Sequence, residues 1–249
     1  MIFEAARKPI VVAHRGASGE CPENALAAFR RAIELGADFF ETDVRLSRDG
    51  VPVLMHDAAV DRTTDGTGPI AGLSLEEIKR LDAGSWKAPQ FAGERVPTLA
   101  EALDLARGRI RVNIEIKDPA AAEPVVVAVH AAAMDNQVVV LCFDDHVLSR
   151  VRALAPDLAR MVLVSSRAPG YPPAEEIIRR CRAVGAAAMG VQHDGASADL
   201  IEAAHAAGIA VLFWTVNDPE RMRELIALGA DALGSDWPDA ALRVRDAQL

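Results

Sequence analysis

The sequence predicts a single closed (β/α)8 (TIM) barrel, residues 1–249, with one small insertion after its second strand. Two observations carry that expectation. Eight short apolar runs of β character alternate with eight segments of helical spacing, and such alternation implies parallel strands joined by right-handed crossovers. The rhythm then breaks once, over about 57–97, in a stretch rich in Gly, Pro, Asp and Thr. A doubly wound open sheet is the alternative, and eight repeats of the unit favour closure. With 249 residues, 51% of them hydrophobic, the chain has ample material for one well-buried core.

The strand runs, in order, are PIVVAH (9–14), DFFETDV (38–44), RVNIEI (111–116), QVVVLCF (137–143), ARMVLV (159–164), AAAMGV (186–191), IAVLFWTV (209–216) and DALGS (231–235). The second continues, after the turn RDG (48–50), as PVLMH (52–56). Helical spacing covers 23–35, 98–107, 120–133, 145–155, 173–184, 197–207, 218–228 and 238–246. Thr98 before Leu-Ala-Glu, and Asn217-Asp218-Pro219-Glu220, are helix start signals. Glycines in ELGAD (34–38), AVGAA (183–187), AAGIA (206–210) and ALGAD (227–231) are stop signals. The insertion holds one short helix near 74–81 and reads as an excursion from the barrel, not a linker between domains.

Net charge is −9, from 36 acidic and 27 basic residues, with no block of like charges. Nothing in it attracts nucleic acid or an anionic bilayer. Cys21, Cys142 and Cys181 are odd in number and show no CxxC spacing, which argues against a disulfide framework or zinc cluster and for a reduced compartment. The N-terminal MIFEAARKPIVVAHRG has too short an apolar run after Arg7 and Lys8 for a signal peptide. No stretch approaches the length of a spanning helix. A cytoplasmic protein without stable membrane insertion is expected; the sequence leaves its oligomeric state open.

Active-site groups of such barrels gather at the C-terminal ends of the strands. The first strand ends at His14-Arg15, the second carries Glu41 and Asp43 and leads to His56, and the third carries Glu115 and Lys117. The seventh ends at Trp214 and the eighth near Ser235-Asp236. Residues two apart in a strand share a face, so Glu41 and Asp43 converge, and Glu115 and Lys117 converge beside them. Three inward carboxylates resist ionisation unless neutralised. One divalent cation, Mg²⁺ or Ca²⁺, suits such oxygen ligands, and a network with nearby Lys or Arg is the plainer alternative. His14 and His56, from neighbouring strand ends, are candidate acid–base groups. Arg15 and Lys117 can hold an anionic oxygen. These parts suit phosphoryl transfer on a phosphate ester.

The motifs His14-Arg15-Gly16, Pro22-Glu23-Asn24, Glu41-Thr42-Asp43-Val44, Asp49-Gly50, His56-Asp57, Arg62-Thr63-Thr64 with Gly66 and Gly68, and Asn113-Ile114-Glu115-Ile116-Lys117 resemble the glycerophosphodiester phosphodiesterases. Pro97-Thr98-Leu99, Trp214-Thr215-Val216-Asn217 and Asp236-Trp237-Pro238 extend the likeness over nearly the whole chain. The resemblance implies hydrolysis of a small-molecule glycerophosphodiester to an alcohol and glycerol 3-phosphate. It implies that His14 and His56 are the acid–base pair, that Glu41, Asp43 and Glu115 hold the ion, and that Arg15 and Lys117 contact phosphate. Gly16 is expected to let the backbone approach, and Asn24 to cap the first helix. Trp214 either stacks on the glycerol side of the substrate or closes the barrel top. Departures from the family pattern are Ala25 after Pro-Glu-Asn, Ser47 before the Asp-Gly turn, LCFDDH at 141–146 and ALGSD at 232–236; the last two bear on substrate choice. Lysophospholipids or phosphoinositides remain alternative substrates, and a silent phosphate-binding barrel is the alternative to an enzyme.

Overall fold

The computed structural model describes residues 8–166 and 170–248, so the N-terminal stretch before Lys8 lies outside the described residues. Eight parallel strands form the ring: β1 (Ile10–Ala13), β2 (Phe39–Leu46), β4 (Arg111–Ile116), β5 (Val138–Cys142), β6 (Ala159–Val164), β7 (Ala188–Gln192), β8 (Ala210–Trp214) and β9 (Ala232–Ser235). Neighbours in sequence are neighbours in space, and β1 pairs with both β9 and β2, which closes the barrel. The short β3 (Pro52–Leu54) runs antiparallel to the end of β2, with Val44 opposite Leu54. Residues 52–56 therefore return beside the second strand instead of extending it, because the chain reverses at Asp49-Gly50, where Gly50 has φ 78°.

Period-two alternation divides the strand residues between two cores. Val12, Phe39, Leu141, Met161, Leu163 and Leu212 point into the barrel. Val11, Phe40, Val112, Ile114, Val140 and Phe213 point outward against the helices. Strands buried on both faces read as unbroken apolar runs, which explains why the sequence shows VVVL and AVLF without alternation. Around the ring lie α1 (Leu26–Leu35), α3 (Leu99–Ala106), α4 (Ala122–Ala131), α5 (Asp145–Leu154), α6 (Ala174–Val184), α7 (Ala198–Ala206), α8 (Pro219–Leu228) and α9 (Pro238–Ala247). Gly36, Gly185 and Gly229 end α1, α6 and α8 in the left-handed conformation.

The excursion after β3 builds a small core of its own from Val53, Met55, Val60, Ile70, Ile78 and Val96. It contains α2 (Leu75–Ile78), whose Ser74 and Glu77 form a reciprocal capping box. Among the described residues, no helix is long and apolar enough to cross a membrane.

Thr98 closes the excursion and opens α3. Its hydroxyl accepts from the Glu101 backbone N–H while Glu101 accepts from Thr98. Thr98→Ala removes that cap, which costs about 1 kcal/mol. Thermal unfolding should fall by about 2–4 °C, as read by circular dichroism, with the far-UV spectrum at 25 °C unchanged.

Candidate active site

The C-terminal ends of β1, β2, β4, β5 and β8 surround one cavity of about 160 Å³. His14, Arg15, Glu41, His56, Glu115, Lys117 and Trp214 all line it. Asp43 stands in the same rung as Glu115, its Cα partner across β2 and β4. Carboxylate oxygens of Glu41, Asp43 and Glu115 lie within 4.8 Å of one another.

Such a cluster is electrostatically costly, and the structure shows how the cost is met. Burial, then the charges of Asp43 and Glu115, push the Glu41 carboxyl up to about 8. Burial and Asp43 raise Glu115 as well. Asp43 is held below the usual carboxylate range: burial opposes its charge, but Lys117 and Arg15 outweigh burial. Lys117 Nζ lies 3.2 Å from Asp43 Oδ1 and 2.5 Å from Glu115 Oε1, and Arg15 Nε lies 3.2 Å from Asp43 Oδ2. Both cations thus pair with the carboxylates, the plainer alternative the sequence left open. The pairing is incomplete: buried Glu41 Oε1 accepts no hydrogen bond, and Asp43 Oδ1 has the Lys117 ion pair but no hydrogen bond. Such oxygens beside a third carboxylate fit a hard divalent cation.

Each histidine is anchored by an aspartate. His14 Nδ1 lies 2.7 Å from Asp236 Oδ1, and Asp236 also accepts from Ser18 Oγ at 3.0 Å and Asn217 Nδ2 at 2.7 Å. Burial disfavours the imidazolium, but the Asp236 hydrogen bond and the Glu41 charge outweigh it, and the His14 pKa is raised. His56 Nδ1 lies 2.7 Å from Asp57 Oδ1, and its carbonyl accepts from Arg45 Nε and Nη2. Burial lowers the His56 pKa, and Arg15 and Lys117 add to that effect. With Nδ1 engaged in both rings, Nε2 is the atom left for a ligand.

A second layer of charges ties these parts together. Arg62 donates to Asp57 and, with two nitrogens, to Glu23. Glu23 in turn accepts from Arg15 Nη1 at 2.9 Å. One chain of contacts therefore runs from His56 to Arg15 through Asp57, Arg62 and Glu23, and joins the insertion to the loop after β1.

One expectation is corrected. Asn24 does not cap α1; Ala25 occupies that position and makes no side-chain cap bond. Asn24 sits at φ 57° and turns its buried amide onto β2 instead, donating to Asp43 Oδ2 at 2.9 Å and accepting from Thr42 Oγ1 and the Asp43 N–H. Orienting a buried carboxylate wins over a cap that water can replace. The approach that Gly16 permits is to α1: at φ 79°, a Cβ there would lie 2.6 Å from Ala28 Cβ.

Sequence reasoning gave no catalytic, substrate or metal role to Asp236, Glu23, Asp57, Arg62 or Asn113. Asp57 directly follows His56, and Asn113 precedes Glu115 by two on the same strand face, so local signals existed for both. Asp236 stands at the end of the eighth strand, which the barrel sets beside the first, but its pairing with His14, 222 residues away, is set by the closed ring. Phe143, in the departing LCFDDH stretch, lines the cavity and meets Trp214 edge-on, with ring centroids 5.7 Å apart.

The comparisons agree with this geometry. The model of the glycerophosphoryl diester phosphodiesterase family matches residues 14–240. A glycerophosphodiester phosphodiesterase of Caldanaerobacter subterraneus is 36% identical, over 95% of this chain and 98% of its own. A phosphodiesterase from Oleispira antarctica, solved in complex with the product sn-glycerol-3-phosphate, is 33% identical with a TM-score of 0.87, covering 96% of this chain and 98% of its own. A structure from Silicibacter pomeroyi, described as a glycerophosphoryl diester phosphodiesterase, superposes with a TM-score of 0.88 at 26% identity, over 99% and 96% of the two chains. Its closed barrel, acidic rung and paired histidines, together with matches along nearly its whole length, establish that this chain belongs to the glycerophosphodiester phosphodiesterase family.

Proposed function

We propose that this enzyme hydrolyses glycerophosphodiesters to an alcohol and sn-glycerol 3-phosphate, with a divalent cation and with His14 and His56 as its acid–base pair. The observation that carries this reading is the opposition of two Asp-anchored imidazoles to a three-carboxylate cluster across one cavity. The Oleispira relative holds that product, which supports the same chemistry here.

Glu41, Asp43 and Glu115 would hold Mg²⁺ or Ca²⁺, which supplies positive charge to a phosphoryl oxygen as the pentacoordinate arrangement forms. With the acidic rung neutralised, Arg15 and Lys117 can turn their charge to the phosphate, Arg15 through its planar fork. One imidazole takes a proton from the nucleophile, a water or the neighbouring glycerol hydroxyl, and the other gives a proton at Nε2 to the leaving alcohol oxygen. Asp236 and Asp57 hold each ring in one orientation and favour Nδ1–H, which leaves Nε2 for these transfers. Trp214 offers an aromatic wall beside the glycerol. Three free, buried cysteines suit a reducing compartment, and we place the enzyme in the cytoplasm, acting on small molecules and not on nucleic acid.

His14→Ala and His56→Ala should each lower kcat by about 10²–10⁴-fold. Coupled detection of glycerol 3-phosphate from glycerophosphocholine measures this, and unchanged melting temperatures would show the fold intact. Retained turnover in either variant would exclude that residue as an acid–base group.

Cation binding should depend on pH with a defined sign. Because Glu41 titrates near 8 without an ion, a cation entering at lower pH must displace its proton. Calorimetric titration of EDTA-stripped protein with Ca²⁺ should show tighter binding at pH 9 than at pH 6.5, with proton release only at the lower pH. Glu41→Gln should reduce that difference, leaving the part due to Glu115, and raise the Kd.

A further inference from the structure

Asn113 occupies the rung below the Asp43–Glu115 pair: its Cα partner on β2 is Glu41 and on β5 is Val139. Its side chain faces the cavity and is 1% exposed. Neither Nδ2 nor Oδ1 has a hydrogen-bond partner. A buried amide left unpaired on both atoms is costly, on the order of 1–3 kcal/mol per group. A Leu or Val, like those around it in the barrel interior, would avoid the cost. Three further atoms of cavity-lining residues are in the same condition: the donors Arg15 Nε and Trp214 Nε1, and the acceptor Glu41 Oε1, which the proposed cation would take.

The Asn113 amide calls for a partner that both donates and accepts. A phosphoryl oxygen only accepts and cannot satisfy Asn113 Oδ1. A metal ion can take Oδ1 but repels Nδ2. An alcohol hydroxyl both donates and accepts, and so completes the amide. Of the two arms of a glycerophosphodiester, the glycerol arm carries free hydroxyls in every substrate, whereas a choline arm carries none. Leu141 and Leu212, also in the cavity wall, are apolar surface suited to the carbons between those hydroxyls.

We infer that Asn113 is the residue that recognises the glycerol moiety, its amide donating to and accepting from a glycerol hydroxyl beside Glu41. This inference rests on the phosphodiesterase reading and deepens it: the barrel floor reads the glycerol, and the metal rung above it reads the phosphate. A site that pairs a substrate hydroxyl rejects an analogue lacking it, because the protein groups are then left unpaired.

The test compares glycerol 3-phosphate with n-propyl phosphate, which keeps the phosphate and the three-carbon chain but has no hydroxyl. Both are titrated calorimetrically into Ca²⁺-loaded wild type, Asn113→Leu and Asn113→Ala, so no turnover is needed. Wild type should prefer glycerol 3-phosphate by about tenfold or more, and both variants should bind the two phosphates within about twofold of each other. The Kd for Ca²⁺ should not change, and Asn113→Leu should melt no lower than wild type, since it removes an unpaired amide. Three results would overturn the inference: no preference in wild type, a preference preserved in the variants, or a loss of Ca²⁺ affinity that weakens both phosphates equally. The wild-type comparison stands even where a variant fails to fold. Preference for glycerol 3-phosphate without hydrolysis of glycerophosphocholine would instead sink the proposed reaction and leave the assignment of Asn113 standing.

Discussion

Three carboxylates within 4.8 Å of one another at the mouth of a closed barrel are the constraint on which the rest of this structure depends. Like charges in a poorly solvated site raise each other's pKa and destabilise the fold unless positive charge or hydrogen-bond donors answer them. Arg15 and Lys117 answer Asp43, the Asn24 amide holds its orientation, and the Arg15 N–H meets Glu41 Oε2 at 2.9 Å. What stays unanswered, Glu41 Oε1, is what a divalent cation would complete, together with Asp43 Oδ1. The same groups that make the unliganded fold tolerable are thus the groups that would bind phosphate once a cation relieves them.

The barrel supplies the rung, and elements outside it supply the histidine supports. His14 leaves β1 and finds its aspartate after β9, the neighbouring strand across the seam where the barrel closes. His56 leaves the short β3, whose antiparallel return beside β2 sets the second imidazole at the cavity just ahead of the excursion. That excursion then secures itself to the opposite loop through Arg62 and Glu23. Its small core of Val53, Ile70 and Ile78 gives this return path rigidity, which a histidine that must meet a phosphate ester in one orientation requires.

How much of this could be read in advance differed by the range of the interaction. The strand order, the interruption near 57–97 and the caps at Thr98 and Gly36 follow from local patterns. So does the acidic cluster, because residues i and i+2 of one strand share a face, and parallel neighbours put Glu41, Asp43 and Glu115 side by side. Asn24 was misread for the same reason: an Asn before an apolar helical segment is an ordinary local cap, and nothing nearby reveals that its amide is taken by Asp43 of the next strand.

By itself the chain specifies its repeat, the residue types at the strand ends and the family whose motifs they match, since these depend on neighbours a few positions apart. The closing of the ring decides the rest. It brings Asp236 to His14 across 222 positions, links Arg15 to His56 through two other elements, and sets the Asn113 amide in the barrel floor with both of its polar atoms unpaired. Those facts depend on which side chains meet when β1 pairs with β9 and β2, a relation between surfaces that linear spacing does not encode.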